Sequence, residues 1–223
     1  MIKWKIAQWL ELRWWKSYLS TKDKSEYIAW KSSYWSNLLD KLDVFENIKQ
    51  AAKIIDLGCG PFGLHLLQKG SPNSFSVFNA DNFTAVDPLL DDYENQLPFF
   101  KKSDYPNCTF VKSGIENFTT QNLFDVVFCM NAINHVYDIE KSFEVMDKCC
   151  RKNGIVVMSI DAHNFSSFKH LFRLVPGDAL HPHQYDLKEY TSFLTKRKFC
   201  IRQTILVKKN FFFDHFVLIA VKQ

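Results

Sequence analysis

Residues 51–63 read AAKIIDLGCGPFG. The chain has seven glycines, and three of them, Gly58, Gly60 and Gly63, fall within six residues. The apolar pair Ile54-Ile55 leads through Asp56 and Leu57 into the glycines, and a helix-like segment, LHLLQK, follows. Strand, tight glycine turn and helix is the arrangement in which a backbone approaches a ligand closely and offers free N–H groups. The spacing Gly-x-Gly-x-x-Gly is also that of dinucleotide-binding turns. Asp56 argues against that use, because a carboxylate at the strand end gains nothing from a pyrophosphate.

Taken whole, IIDLGCGPFGLHLL resembles the first motif of class I S-adenosylmethionine-dependent methyltransferases. The resemblance implies that Asp56 organises the loop and the amino-acid end of the cofactor. Gly58, Cys59 and Gly60 would let the backbone pass beside it. Phe62 departs from the pattern, since many members have a glycine or another small residue there.

The resemblance continues in order along residues 51–223. FTAVDPLL reads as a second strand ending at Asp87, whose position matches the family acid that binds both ribose hydroxyls, with Pro88 beside it. An NAD-binding domain would also place an acid there. Residues 89–107 are acidic, aromatic and turn-rich. CTFVKSGIENF resembles the third motif, with Gly114 where an acid is expected, so adenine recognition passes to Ile115 and Glu116. LFDVVFCMNAINHVYDIEKSFEVMDKCCRKNGIVVMSID reads as strand, loop, helix, strand, and Arg151–Gly154 as the turn into the fifth strand. Its loop carries Asn131 on the cofactor side and His135, which matches a histidine frequent in the family and is the candidate for catalysis or acceptor orientation. HPHQYDLKEYTSFLTKRKF resembles the segment before the sixth strand, and the resemblance puts His181, His183 and Tyr185 on the substrate side. Two histidines one residue apart, with no partnered carboxylate or cysteine, do not make a metal site. FCIRQTILVKK and HFVLIAVKQ form a closing hairpin, the antiparallel addition that separates methyltransferases from NAD-binding folds.

The expected fold is therefore α/β: a Rossmann-like, doubly wound, mostly parallel seven-stranded sheet with an antiparallel C-terminal hairpin. Ahead of it lies an N-terminal helical extension, residues 1–50, with the S-adenosylmethionine-binding domain at 51–223. All six tryptophans lie in the first 35 residues, and in residues 1–24 six basic residues oppose two acidic ones. That excess equals the +4 of the whole chain, so the remainder is neutral. Such a shift marks a separate element and gives nucleic acid no basic surface to meet. One helix is expected over residues 2–19, with apolar positions Ile2, Ile6, Trp9, Leu10, Trp14 and Tyr18, and a second from Glu26 to Leu42. They either pack over the sheet edge or cap the cofactor cleft, with Tyr34 and Trp35 as wall residues. The basic, tryptophan-rich first helix also suits peripheral contact with a membrane.

No apolar run approaches the ~18 residues of a membrane span. Lys3, Lys5, Gln8, Glu11 and Arg13 interrupt every candidate signal-peptide core. Six scattered cysteines with no Cys-x-x-Cys point to a reducing cytoplasm, and the adjacent pair Cys149-Cys150 is expected on a helix as small core residues. The expected function is methyl transfer from S-adenosylmethionine to a small-molecule, glycan or lipid-linked acceptor. A non-catalytic membrane or partner-binding protein on the same scaffold, and an NAD-dependent enzyme, are the alternatives.

Overall fold

The computed structural model describes residues 2–44, 53–69, 82–165, 183 and 185–223. Two helices come first, α1 (Ile2–Leu19) and α2 (Lys24–Lys41). Asp23 caps α2, its side chain accepting from the Glu26 amide at 3.0 Å, so the helix starts earlier than its apolar pattern suggests. Then follow β1 (Ile54–Leu57), β2 (Phe83–Val86), α3 (Leu90–Gln96), β3 (Thr109–Val111), β4 (Phe124–Cys129), α4 (Ile139–Cys149), β5 (Cys150–His163), α5 (Leu187–Thr195), β6 (Phe199–Lys208) and β7 (Phe213–Lys222).

The seven strands form one sheet in the order β3-β2-β1-β4-β5-β7-β6. The first five run parallel, and β7 enters antiparallel between β5 and β6. β1 is the innermost of the early strands, paired to β2 and β4, and all four of its residues are buried. Because side chains alternate along a strand, Ile54 belongs to the core on one face and Ile55 to the core on the other. α4 and α5 fill the second face through Phe143, Met146, Tyr190 and Leu194. The first face is filled by the N-terminal helices through Leu12, Leu19, Trp35 and Leu39. The extension is thus part of the main core rather than a covering on the sheet edge.

Three local expectations change. The segment LHLLQK after the glycines is a 3-10 turn over Leu64–Lys69. The stretch after Asp87 contains α3, whose Tyr93 is fully buried. β5 begins at Cys150, which pairs with Phe124 across an irregular register, so Cys150 is a strand residue and only Cys149 lies on the helix. Asn153, at φ 61°, lies inside that irregular stretch.

Candidate active site

The glycine loop runs from the carboxyl end of β1, where parallel α/β sheets gather their ligands. The amides of Gly58 and Cys59 both donate to the Val86 carbonyl, at 2.7 and 3.1 Å, which ties the loop to β2. Gly58 has φ +75°, and a Cβ there would lie 2.3 Å from the Ala132 Cβ. Gly60 has φ +58° with open space where a side chain would stand. Both conformations favour glycine, and the second leaves a cradle beside the loop.

Asp56 lies behind this loop and is 1% exposed. One carboxylate oxygen accepts from the Leu64 amide at 3.2 Å, while Oδ1 is buried with no hydrogen-bond partner. Asp56 therefore organises the turn and does not itself reach the cavity wall. Burial pushes its carboxyl up to about 7.

Asp87, at the end of β2, is 6% exposed. Its Oδ2 accepts from the Gly60 amide at 3.0 Å and its Oδ1 from the Leu89 amide at 2.8 Å. A carboxylate has about four acceptor positions, so two remain for a ligand. Burial raises its pKa, and the nearby Glu11 charge on α1 adds to the rise. Cys59, also buried, has its thiol held well above the usual range by burial and is no nucleophile.

A first cavity of about 160 Å³ opens over these groups. Gly58, Cys59, Gly60, Asp87 and Pro88 form its floor, and Ile115, Glu116, Asn131 and His135 one side. The buried Glu116 accepts from the Tyr137 amide at 3.0 Å, which leaves its second oxygen beside Gly114. The opposite side comes from Trp4, Gln8, Glu11 and Trp15 of α1 and from Lys31 and Trp35 of α2. Periodicity had put another stripe inward. Ile6, Trp9 and Trp14 are 48%, 56% and 50% exposed, whereas Glu11 turns inward to accept from the buried Tyr93 hydroxyl at 2.8 Å. The wall mixes the indoles of Trp4 and Trp15 with the polar Gln8 and Glu11, so apolar periodicity alone does not pick it out. Trp35 donates its indole N–H to the Phe62 carbonyl at 2.8 Å, and the Phe62 ring packs on Trp15 and Tyr27 at 5.5 and 5.1 Å. The bulky residue in the glycine loop is thus the anchor of both helices, and Trp35 serves the loop rather than the acceptor side.

Lys31 is the one lysine or arginine on this wall among the described residues. Its ammonium sits 4.5 Å from the Tyr34 ring and 4.7 Å from the Trp35 ring, and burial lowers its pKa to about 8.

A second cavity of about 350 Å³ adjoins the first. Asn131 and His135 border both. Asn131, at φ 54°, donates its amide to the Ser159 hydroxyl at 2.6 Å and accepts from it through Oδ1 at 2.9 Å. Tyr34 reaches this second cavity, as do Asn134, Asp161, Lys208 and His215. His183 and Tyr185 lie on neither wall. His183 Nε2 donates to the Val136 carbonyl at 2.8 Å, and Tyr185 packs its ring on Tyr190 and Phe193. These contacts tie the segment ahead of α5 to its neighbours. His181 lies outside the described residues.

A sequence profile described as Methyltransferase domain matches residues 48–194, more than half of the chain. The chain belongs to this family. Among curated relatives of the methyltransferase domain, the ubiquinone biosynthesis O-methyltransferases of Rickettsia typhi and Rickettsia akari are 27% and 28% identical over 122 and 135 residues. Those alignments cover 55% and 60% of this chain and 46% of each relative, so the chain spans about half the length of the proteins it matches. Among solved structures, a methyltransferase from Clostridium acetobutylicum superposes with a TM-score of 0.59 at 14% identity, covering 91% of this chain and 93% of that one. The magnesium protoporphyrin IX methyltransferase of Synechocystis, solved with S-adenosylhomocysteine, gives 0.56 at 16%, covering 86% and 83%. At such identities the likeness is one of fold.

One property of this methyltransferase domain follows from Asp56 directly. Its folded pKa is raised, so the neutral acid is the form that folding favours. Its contribution is complete below about pH 4 and is lost as pH rises to about 7. Thermal unfolding without ligand should show the melting temperature falling across that window. Asp56→Asn should reduce the slope, since an amide has no charge to bury, with Asp87 supplying the remainder, and an unchanged slope would place the titration elsewhere.

Proposed function

We propose that the protein is an S-adenosylmethionine-dependent methyltransferase that holds its cofactor in the first cavity and an oxygen acceptor of small-molecule type in the second. The observation that carries this reading is the shared wall at Asn131 and His135. A methyl group passing from one cavity to the other has to cross there. The residues present fit the cofactor: an open cradle at Gly60, a buried diacceptor at Asp87, and a carboxylate at Glu116 beside apolar Ile115 for the adenine amino group. Lys31 would meet the carboxylate of the methionine end. When bound, S-adenosylmethionine supplies a methyl already activated by the sulfonium charge, and the protein's contribution is alignment, worth up to ~7–11 kcal/mol in favourable intramolecular cases. The names of the Rickettsia relatives support oxygen as the acceptor atom.

The first cavity lies below the usual ~300–1,000 Å³ of ligand pockets. Trp4 and Trp15 of α1 border it. Removing residues 2–19 would cost Leu12 and Leu19 from the core as well as this wall, so truncation should destabilise the fold and weaken cofactor binding together. Incubating the protein with S-adenosylmethionine labelled in its methyl group and a small-molecule extract tests the function: label should move into a small-molecule product. His135→Ala should lower that rate about tenfold or more if the ring orients the acceptor. Wild-type turnover from pH 6 to 9 would make His135 structural.

A second contact rests on the outer face of α1. Ile6, Trp9 and Trp14 are exposed there, Arg13 lies 5.4 Å over the Trp9 ring, and Lys5 and Lys16 are exposed nearby. The helix's only acid, Glu11, turns inward. Tryptophan with lysine and arginine suits the boundary of an anionic bilayer, at about 1 kcal/mol per basic residue. Among the described residues no helix is long and apolar enough to cross a membrane. Cosedimentation with phosphatidylserine vesicles should therefore be strong at low salt and lost at high salt. No binding at low salt would leave α1 as a cavity wall alone.

A further inference from the structure

The second cavity contains a histidine–aspartate pair that the sequence did not single out. His215 on β7 and Asp161 on β5 are directly opposed in the antiparallel register. His215 Nδ1 lies 2.8 Å from Asp161 Oδ1, with the His215 side chain 15% exposed and that of Asp161 48% exposed. A carboxylate can only accept, so Nδ1 carries the proton and Nε2 is left as a lone-pair acceptor. Lys208, on β6, pairs in register with His215, which puts lysine, histidine and aspartate in one row across three strands. All three border the cavity, with Tyr34, Asn131, Asn134 and Ser159 completing a polar wall. Among the described residues Lys208 has no ion-pair partner.

We infer that His215 is the general base for a hydroxyl acceptor, that Asp161 positions it, and that Lys208 binds an anionic group on the same acceptor, a carboxylate or phosphate. This rests on the methyltransferase reading above and names the substrate class of its second cavity. The acceptor oxygen forms a bond to the methyl carbon as the carbon–sulfur bond breaks, its electron pair passing to sulfur. The hydroxyl proton moves to His215 Nε2, and Asp161 offsets the imidazolium charge until solvent takes the proton. A hydroxyl needs such a base where a thiolate or amine needs less. A carboxylate bonded to the far nitrogen holds the ring and tautomer in place, the arrangement of histidine bases generally. Among the described residues the titratable groups that share the cavity with His215 are Asp161 from β5, Lys208 from β6, Tyr34 from α2 and His135 from the loop after β4.

The probe is 3,4-dihydroxybenzoate, which joins hydroxyls to a carboxylate, titrated into protein saturated with S-adenosylhomocysteine and separately assayed with S-adenosylmethionine. Wild-type protein should bind and methylate it. His215→Gln should lower kcat by about 10²–10⁴-fold with KM little changed. Lys208→Gln should raise KM about tenfold with kcat kept. Asp161→Asn should lower kcat with KM little changed, and Asp161→Glu should restore part of the rate, a rescue that a purely structural role would not give. Melting curves confirm that each variant folds. Methylation at the wild-type rate by folded His215→Gln overturns the base. Binding of S-adenosylhomocysteine with neither binding nor methylation of the probe overturns the acceptor class and spares the methyltransferase reading. Failure to bind S-adenosylhomocysteine overturns that reading itself.

Discussion

Asp87→Ala should weaken S-adenosylmethionine binding by at least a hundredfold. Two hydrogen bonds from ribose hydroxyls to a carboxylate are each worth about 1.5–3 kcal/mol, and each 1.4 kcal/mol is tenfold. The same substitution frees the amides of Gly60 and Leu89, which now donate to Asp87 at 3.0 and 2.8 Å, so the cradle loosens as well. Asp87→Asn keeps the shape and half the acceptors and should fall between. Burial and Glu11 hold the Asp87 pKa above its ordinary value. Only the ionised form accepts from both hydroxyls without donating, so wild-type affinity should rise as pH increases and level off once the carboxylate is fully charged. Asp87→Asn should remove that rise. Unchanged calorimetric affinity in folded Asp87→Ala would take the residue out of the site.

Gly58→Ala is the second large effect, and it separates geometry from chemistry. The new methyl would lie 2.3 Å from the Ala132 Cβ, and the backbone already sits at φ +75°. The left-handed conformation costs a non-glycine residue about 1–2 kcal/mol, and overpacking about 1–3 more. At about 2–4 °C per kcal/mol in a chain of this size, the melting temperature should fall by roughly 4–20 °C. Ala132 belongs to the loop that carries Asn131 and His135, so cofactor affinity and turnover should fall together. Gly60→Ala meets nothing within 4 Å and should lose only the conformational part in stability. Equal stability losses for the two variants would mean that the close approach to Ala132 does not matter.

The parts of this protein legible in its sequence are those encoded at short range. A hydrophobic pair, an acid and two glycines define β1 and its loop within ten residues, and a terminal run of two strands defines the hairpin. Asp87 follows because a strand end is a local feature. What was not legible depends on register between distant segments. His215 and Asp161 meet only because β7 pairs antiparallel with β5, and no spacing in the sequence announces a partner 54 residues away. Glu11 and Lys31 were hidden for another reason. Helical periodicity sorts residues by polarity, and it does not pick out a face that mixes indoles with polar groups over a cavity. Phe62 looked like a departure from the loop pattern, and its meaning emerged only from its packing on Trp15 and Tyr27. His183 borders neither cavity, and its contact with the Val136 carbonyl, 47 residues away, is another pairing that no local motif announces.

The most direct measurement is calorimetric titration of the purified chain with S-adenosylhomocysteine and, separately, with NAD. Saturable one-to-one binding of S-adenosylhomocysteine, weakened by Asp87→Ala and by Gly58→Ala and absent for NAD, is the result expected of a first cavity built for the methyl donor. Binding of NAD alone, or of neither ligand by folded protein, would contradict the account.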